Sequence, residues 1–229
     1  MNNNISDKIK IFRTLSKETI DKILACSKIK EYKKDDMVFS EKEVLKELYF
    51  IVEGVVSIYK PNKMDDGKKV VYIFGNGEIL NEMALDNKPS LISCELLTDG
   101  KILIIDKEDF RKIMHNDIAL CEAVINSLII KQKRTIHQLK NMSSKTVDML
   151  LAFKLWKLAK DFGKKTDEGI EIDFDLPVKY LAEFLGNKRE TVSRQIKVLT
   201  NKNLIKTNKK RFIILDSQKL INYFRGVEE

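Results

Sequence analysis

Between Asn187 and Arg211 the chain reads NKRETVSRQIKVLTNKNLIKTNKKR, with nine Lys or Arg residues against a single acid, Glu190, so that these 25 residues sum to +8. That is the net charge of the whole 229-residue protein. A run this basic is not a structureless tail, because Val192, Ile196 and Leu199 recur at i, i+4 and i+7 and give a helix one buried stripe. Arg189, Glu190, Ser193, Arg194 and Lys197 are left pointing outward. A helix that packs on one side and offers guanidinium, carboxylate and hydroxyl groups on the other suits the reading of base edges in a DNA major groove.

The preceding segment PVKYLAEFLG, Pro177 to Gly186, carries Val178, Leu181, Ala182 and Leu185 at helical spacing. Pro177 suits a first helical turn and Gly186 a left-handed stop. Two amphipathic helices joined by a short turn make a helix-turn-helix. Downstream, Leu204 to Thr207 and Arg211 to Leu215 flank Asn208-Lys209-Lys210, which predicts a two-stranded hairpin with a basic tip. The expected unit is a winged helix whose wing lysines, Lys209 and Lys210, lie against phosphates. Charge asymmetry supports this: residues 143–229 hold 18 basic and 12 acidic side chains, so most of the excess lies in the smaller part of the chain.

Length allows one large or two small domains with apolar content for real cores. No apolar run approaches the roughly 18 residues that a membrane helix needs, and MNNNISDKIK lacks a hydrophobic signal region. A cytoplasmic protein with no membrane partner is expected. Cys26, Cys94 and Cys121 lie far apart, and His115 and His137 are the only imidazoles, so neither a disulfide framework, a zinc site nor a cysteine-ligated iron-sulfur cluster is expected.

After a helical lead-in from Ser16 to Cys26, the stretch from Ile29 to Asp106 changes character. Tyr49 to Val52 and Val55 to Tyr59 flank Glu53-Gly54, Val70 to Phe74 follow Asp65-Asp66-Gly67, and Ile102 to Ile105 follow Asp99-Gly100. Short β-rich runs with glycine turns predict a small antiparallel barrel or roll. This part shows no phosphate loop, nucleophile-base arrangement or metal motif, which predicts a protein with no catalytic residues.

From Asp117 to Met142 the period changes again. Cys121, Ile125, Leu128, Gln132, Thr135, Leu139 and Met142 follow steps of four and three, the seam of a two-stranded coiled coil. Ile118, Val124, Ile129 and Ile136 widen the apolar face, so packing on the roll is open as well. A dimer is favoured, because two-fold proteins match two half-sites on DNA. A second helical block, Thr146 to Phe162, is expected to cap the winged helix, with a hinge near Asn141 to Lys145.

With these motifs in place, the chain resembles the Crp/Fnr family of bacterial transcription regulators over nearly its full length. Leu48 to Lys60 (LYFIVEGVVSIYK) is similar to the family's early β-roll strands, Gly75 to Asn87 (GNGEILNEMALDN) to its effector cassette, and Leu185 to Leu199 (LGNKRETVSRQIKVL) to its recognition helix. The resemblance implies an α+β chain. Its parts are a cyclic-nucleotide-binding-like β-roll over residues 1–116, a dimerisation helix over 117–142 and a winged helix-turn-helix over 143–229. It implies that Arg189, Glu190 and Arg194 read bases, as in the Crp branch, while Ser193 resembles the Glu-x-x-Ser-Arg set of the Fnr branch. Lys188 stands where the Crp branch has a phosphate-contacting serine, and Thr191 and Lys197 complete the expected DNA-facing set.

The cassette departs from the cyclic-AMP pattern, which is Gly-Glu-x-Gly with a later Arg-Ser pair. Here the run is Asn81-Glu82-Met83-Ala84-Leu85, no arginine lies between Arg13 and Arg111, and Ser90 or Leu91 falls near the arginine position with Lys88 the nearby cation. An effector pocket of Glu82, Met83, Ala84, Leu85, Ser90 and Thr135 is therefore expected to decline cyclic AMP, since a buried phosphate without a firm partner is costly. It is open to another small molecule, a haem or nothing, and Glu82 is equally readable as a turn carboxylate. The expected function is a homodimeric, effector-gated regulator of a double-stranded DNA operator, with RNA polymerase as a further partner. The competing expectation is a haem- or redox-binding sensor whose output is not DNA binding.

Overall fold

A computed structural model describes residues 3–62 and 67–227. The expected turn residues Asp65 and Asp66 and the side chain of Met142 lie outside the described residues. The elements in chain order begin with α1 (Asn3–Ser6), a 3-10 helix (Lys10–Thr14) and α2 (Lys17–Ala25). The strands β1 (Ser27–Tyr32), β2 (Met37–Phe39), β3 (Glu47–Glu53), β4 (Val56–Pro61), β5 (Lys68–Phe74), β6 (Ser93–Leu96) and β7 (Gly100–Asp106) follow, with a one-turn 3-10 helix at Glu82–Asp86. Next come α3 (Lys107–His115), α4 (Ile118–Ser144), α5 (Val147–Phe162), β8 (Gly163–Thr166), β9 (Gly169–Ile172), α6 (Val178–Leu185), α7 (Arg189–Asn201), β10 (Ile205–Asn208), β11 (Arg211–Ile214) and α8 (Ser217–Arg225). The described residues divide into two compact units, one built from residues up to 62 with Val71–Thr135, the other from residues 67–70 and Ile136 onward.

The first unit is an antiparallel roll of a three-stranded sheet in the order β1-β7-β3 and a four-stranded sheet in the order β2-β6-β4-β5. β3 and β7 have continuous apolar centres, Leu48-Tyr49-Phe50-Ile51-Val52 and Ile102-Leu103-Ile104-Ile105, and they pair in register from Leu48 opposite Ile105 to Ile51 opposite Ile102. Such strands are buried on both faces, which is why they lack an alternating pattern. Phe12, Phe50 and Phe110 meet in the core at centroid distances of 6.1 and 5.9 Å. Gly54 turns β3 into β4 at φ 111°, a conformation that L side chains rarely adopt, and a Cβ there would stand a tight 3.0 Å from the Asp99 carbonyl oxygen, so a side chain is strained at this turn. The expected lead-in helix is α2, capped by the Ser16 hydroxyl, which accepts from the Thr19 N–H at 3.1 Å.

β1, β2 and β6 were not individually legible in the sequence. In β1 the residues Lys28, Lys30 and Glu31 face solvent, so the strand is held by its backbone ladder to β7 and shows little apolar patterning.

The second unit is a winged helix. α5 presents Leu151, Ala152, Leu155, Leu158 and Ala159 to its core, and α6 and α7 pack on that helix. α8 is fastened to α5 by Phe153 on Phe224 at 4.6 Å and by the Tyr223 hydroxyl, which donates to Asp148. Burial, the hydrogen bond to Asp148 and its charge push Tyr223 up to about 12. The wing is larger than the sequence indicated: its sheet has four strands in the order β10-β11-β9-β8, because the segment after α5 forms a hairpin that joins β11.

Candidate nucleic-acid interface and effector cassette

α6 ends as its glycine requires. Gly186 adopts φ 68° and ψ 42°, and the N–H groups of Gly186 and Asn187 both donate to the Ala182 carbonyl, at 2.8 and 3.0 Å. Pro177 stands at the N-cap position just outside the helix, one residue earlier than a first-turn placement. α7 then starts at Arg189 with Lys188 as its N-cap residue, in extended conformation and exposed. Val192, Ile196 and Leu199 are buried, and this fixes which face of α7 looks outward. Arg189, Glu190, Arg194 and Lys197 are exposed on that face, with Thr191 and Ser193 half-buried beside them. One row of side chains thus offers two guanidinium groups, a carboxylate and a hydroxyl, the donor and acceptor set that distinguishes base pairs in a major groove.

The wing narrows the basic surface. Arg211 is engaged by Glu171 at 2.9 Å, Asp173 at 3.3 Å and Asp175 at 3.6 Å, and Lys206 pairs with Glu168. Both cations counted toward the +8 are therefore partly neutralised by β9 and its neighbours. Lys209 and Lys210 form the exposed tip between β10 and β11, with Lys209 in the left-handed region at φ 54°.

The long helix α4 has two faces. Leu120, Ala123 and Val124 are buried in the core of the roll, so Val124, one of the residues that widen the apolar face beyond the seam, packs on the roll. On the other face Ile125 (54 % exposed), Leu128 (39 %) and Leu139 (63 %) stand in solvent, with Ile118, Ile129 and Ile136 also exposed. Gln132 and Thr135 share that exposure, while Cys121 is half-buried, its thiol donating to the Met114 carbonyl at 3.2 Å.

The roll-facing stripe continues through Ser127, Lys131 and Arg134, and it meets the cassette there. Glu82 opens the 3-10 helix, and its side chain is 2 % exposed. Its Oε1 accepts from the Ser127 hydroxyl at 2.5 Å, and its Oε2 is paired with the Lys131 ammonium. Lys131 also donates to the Ile79 carbonyl at 2.5 Å and lies over the Phe74 ring, 5.0 Å from its centroid. Burial holds Lys131 below the ordinary lysine value, opposed by the charge and hydrogen bond of Glu82. Next along the helix, Arg134 lies over Tyr72 at 5.2 Å and reaches Glu78 at 3.4 Å, and Lys10 reaches the same carboxylate at 2.6 Å. Burial pushes Glu78 up, but the hydrogen bond and charge of Lys10 and the charge of Arg134 outweigh it and hold the carboxyl below its usual range. Arg134 Nη1 is buried with no partner among the described residues.

Of the expected pocket, Met83, Ala84 and Ser90 line one cavity, Leu85 packs against the roll core, and Thr135 is exposed with its hydroxyl donating to the Lys131 carbonyl at 3.1 Å. Although no arginine lies within the cassette sequence and Lys88 is the expected nearby cation, a guanidinium does reach it, which corrects that reading: Arg111 on α3 donates to the Leu85 carbonyl. Lys131, Ser127 and Arg111 were missed because they come from helices remote in sequence, and a search within the cassette has no signal for them. Among the described residues no group of three His, Cys, Asp or Glu side chains is placed to hold a metal ion. None of the described helices alone is long and apolar enough to cross a membrane.

The fold and both sites define a class: a transcription regulator that joins a cyclic-nucleotide-binding-like roll to a helix-turn-helix DNA-binding domain. The cyclic nucleotide-binding domain family is matched over residues 29–117 and the Crp-like helix-turn-helix domain over residues 150–223. The chain belongs to the Crp/Fnr family of transcription regulators. Its relatives include the "CRP-like cAMP-activated global transcriptional regulator" of Mycobacterium tuberculosis, 24 % identical over 83 % of this chain and 85 % of that protein. The "Anaerobic regulatory protein" of Bacillus subtilis is 27 % identical over 88 % and 85 %. Among solved structures, the c-di-GMP-responsive global regulator CLP of Xanthomonas campestris superposes with a TM-score of 0.77 at 22 % identity, over 88 % of this chain and 100 % of that one. The alternative of a sensor with no DNA output finds no support in these matches.

Proposed function

We propose that the protein is a homodimeric transcription regulator that reads an inverted-repeat operator and does so without cyclic AMP. The observation that carries this reading is the exposed row Arg189, Glu190 and Arg194 with half-buried Ser193 beside it, held outward by the buried stripe of α7. Arg189 and Arg194 supply bidentate donors for guanine and Glu190 an acceptor for cytosine, while Lys188, Lys197, Lys209 and Lys210 contact phosphates. Thr191 adds a further contact at the start of α7.

Dimerisation uses the seam of α4 that runs from Cys121 through Ile125, Leu128, Gln132, Thr135 and Leu139 to Met142, of which Ile125, Leu128, Gln132, Thr135 and Leu139 are exposed. An uncovered apolar stripe of that length on one helix is the usual mark of a partner helix. Residues 1–116, 117–142 and 143–229 then serve as sensor, dimer helix and reader, and the protein acts in the cytoplasm, with RNA polymerase as a further partner and no catalysis of its own. An effector acts by changing how the cassette holds α4, and hence the spacing of the two α7 helices. Although the Mycobacterium tuberculosis relative is named for activation by cyclic AMP, here both oxygens of Glu82 are already taken by Ser127 and Lys131. A ribose would have to displace a buried ion pair.

Selection from random duplex DNA, with no nucleotide added, tests the reading. The expected product is an inverted repeat with half-site centres about one helical turn apart. Arg194→Ala should lose about 1–3 kcal/mol on that site and relax base preference. No enrichment of any sequence, or equal losses on selected and random DNA, would refute it.

A further inference from the structure

The 3-10 helix Glu82–Asp86 has two sides, and the second one faces a cavity. Glu82 points toward α4, whereas Met83, Ala84 and Asp86 line a cavity of about 330 Å³ closed by Leu45, Leu80, Pro89, Leu91 and Ile92. This is within the range of small-molecule sites. Its far wall is tied to the β2–β3 connection, since the Lys42 N–H donates to the Ser90 carbonyl at 2.7 Å and the Ser90 N–H to the Glu43 carbonyl at 2.8 Å.

The chemistry of the walls selects the ligand. Two uncharged polar side chains are among the lining residues, and both already have partners. Asn81 accepts from the Tyr49 N–H and donates to the Glu47 carbonyl, each at 2.9 Å, and the Ser90 hydroxyl donates to the Ile92 carbonyl at 2.7 Å. A polar guest would lose its water and find few partners, whereas an apolar one loses nothing. The lining carries one cation, Lys88, and one carboxylate, Asp86, whose charges cancel. Met83 and Leu91 stand 55 % and 59 % exposed at this cavity, large apolar side chains that a ligand would cover.

We propose that this cavity binds a small, uncharged, apolar molecule and is the route by which an effector reaches α4. The inference rests on the effector-gated reading above and names its ligand class. Coupling is short: a guest that moves Met83 and Ala84 moves Glu82 on the same helical turn, and Glu82 holds α4 through Lys131 and Ser127. The ion pair and the apolar cavity are opposite sides of one element.

The test uses the full-length protein and the uncharged fluorophore N-phenyl-1-naphthylamine. Saturable binding at one molecule per chain is expected, displaced by octan-1-ol and not by cyclic AMP, and weakened at least tenfold in Leu91→Glu, a change at an exposed position. Octan-1-ol should shift affinity for the selected operator at least threefold in the wild type and not in Leu91→Glu. Non-saturable binding, unchanged binding in Leu91→Glu, or displacement by cyclic AMP would overturn the site. Binding without any change in operator affinity would overturn the coupling. Probe binding is read without DNA and operator binding without probe, so failure here is distinct from failure of the DNA-binding reading.

Discussion

Lys131 and Glu82 show how much of this protein turns on single side chains. A buried ion pair is not in itself a source of stability, because both charges are stripped of water. Removing one partner is nonetheless costly. Lys131→Met, which leaves a carboxylate at 2 % exposure facing a methionine, should lower unfolding stability by about 3–5 kcal/mol. The double variant Glu82→Met with Lys131→Met should recover most of that loss in urea unfolding. A double variant no better than Lys131→Met alone would mean that the two residues are not coupled. Glu78 gives a pH signature. Its carboxyl is held below the ordinary 4.5, so the stability it contributes is complete above that pH and is lost as pH falls through the folded value. Lys10→Met, which removes the leading hydrogen bond, should therefore move the midpoint of acid unfolding upward, and an unmoved midpoint would contradict the role given to Lys10.

At the scale of elements, α4 carries the clearest division of labour and the clearest limit of sequence reading. Its solvent seam was legible because Ile125, Leu128 and Leu139 are apolar and fall at steps of three and four. Its inner stripe was not, because Leu120, Ala123 and Val124 are followed by Ser127, Lys131 and Arg134, and a hydrophobic period cannot register a stripe that turns polar halfway. α7 was fully legible, since its buried residues are all aliphatic and its outward face all polar. β1 and the β8–β9 hairpin escaped notice because short, charge-rich strands are defined by backbone pairing, for which the sequence has little signature. The seam makes a prediction of its own. Leu128→Glu should give monomers by sedimentation and lose most operator affinity, whereas a dimer that persists would place the interface on another surface.

At the scale of the whole molecule, the family's parts are present while the cassette departs from the cyclic-AMP pattern. The cassette lacks the arginine of the cyclic-AMP pattern, and the glutamate that remains is held by residues of α4. The absence of the arginine was legible in the sequence. The presence of Lys131 beside Glu82 was not, since 49 residues separate them and only the fold brings them together. Both observations lead to one claim, that operator binding proceeds without a cyclic nucleotide. Titration of the purified protein with cyclic AMP by calorimetry, alongside its affinity for the selected operator, measures this directly. The account predicts no binding at micromolar concentrations and an operator affinity that the nucleotide leaves unchanged. Micromolar or tighter binding together with a gain in operator affinity would contradict it, and would mean that the Lys131–Glu82 pair opens to admit the nucleotide.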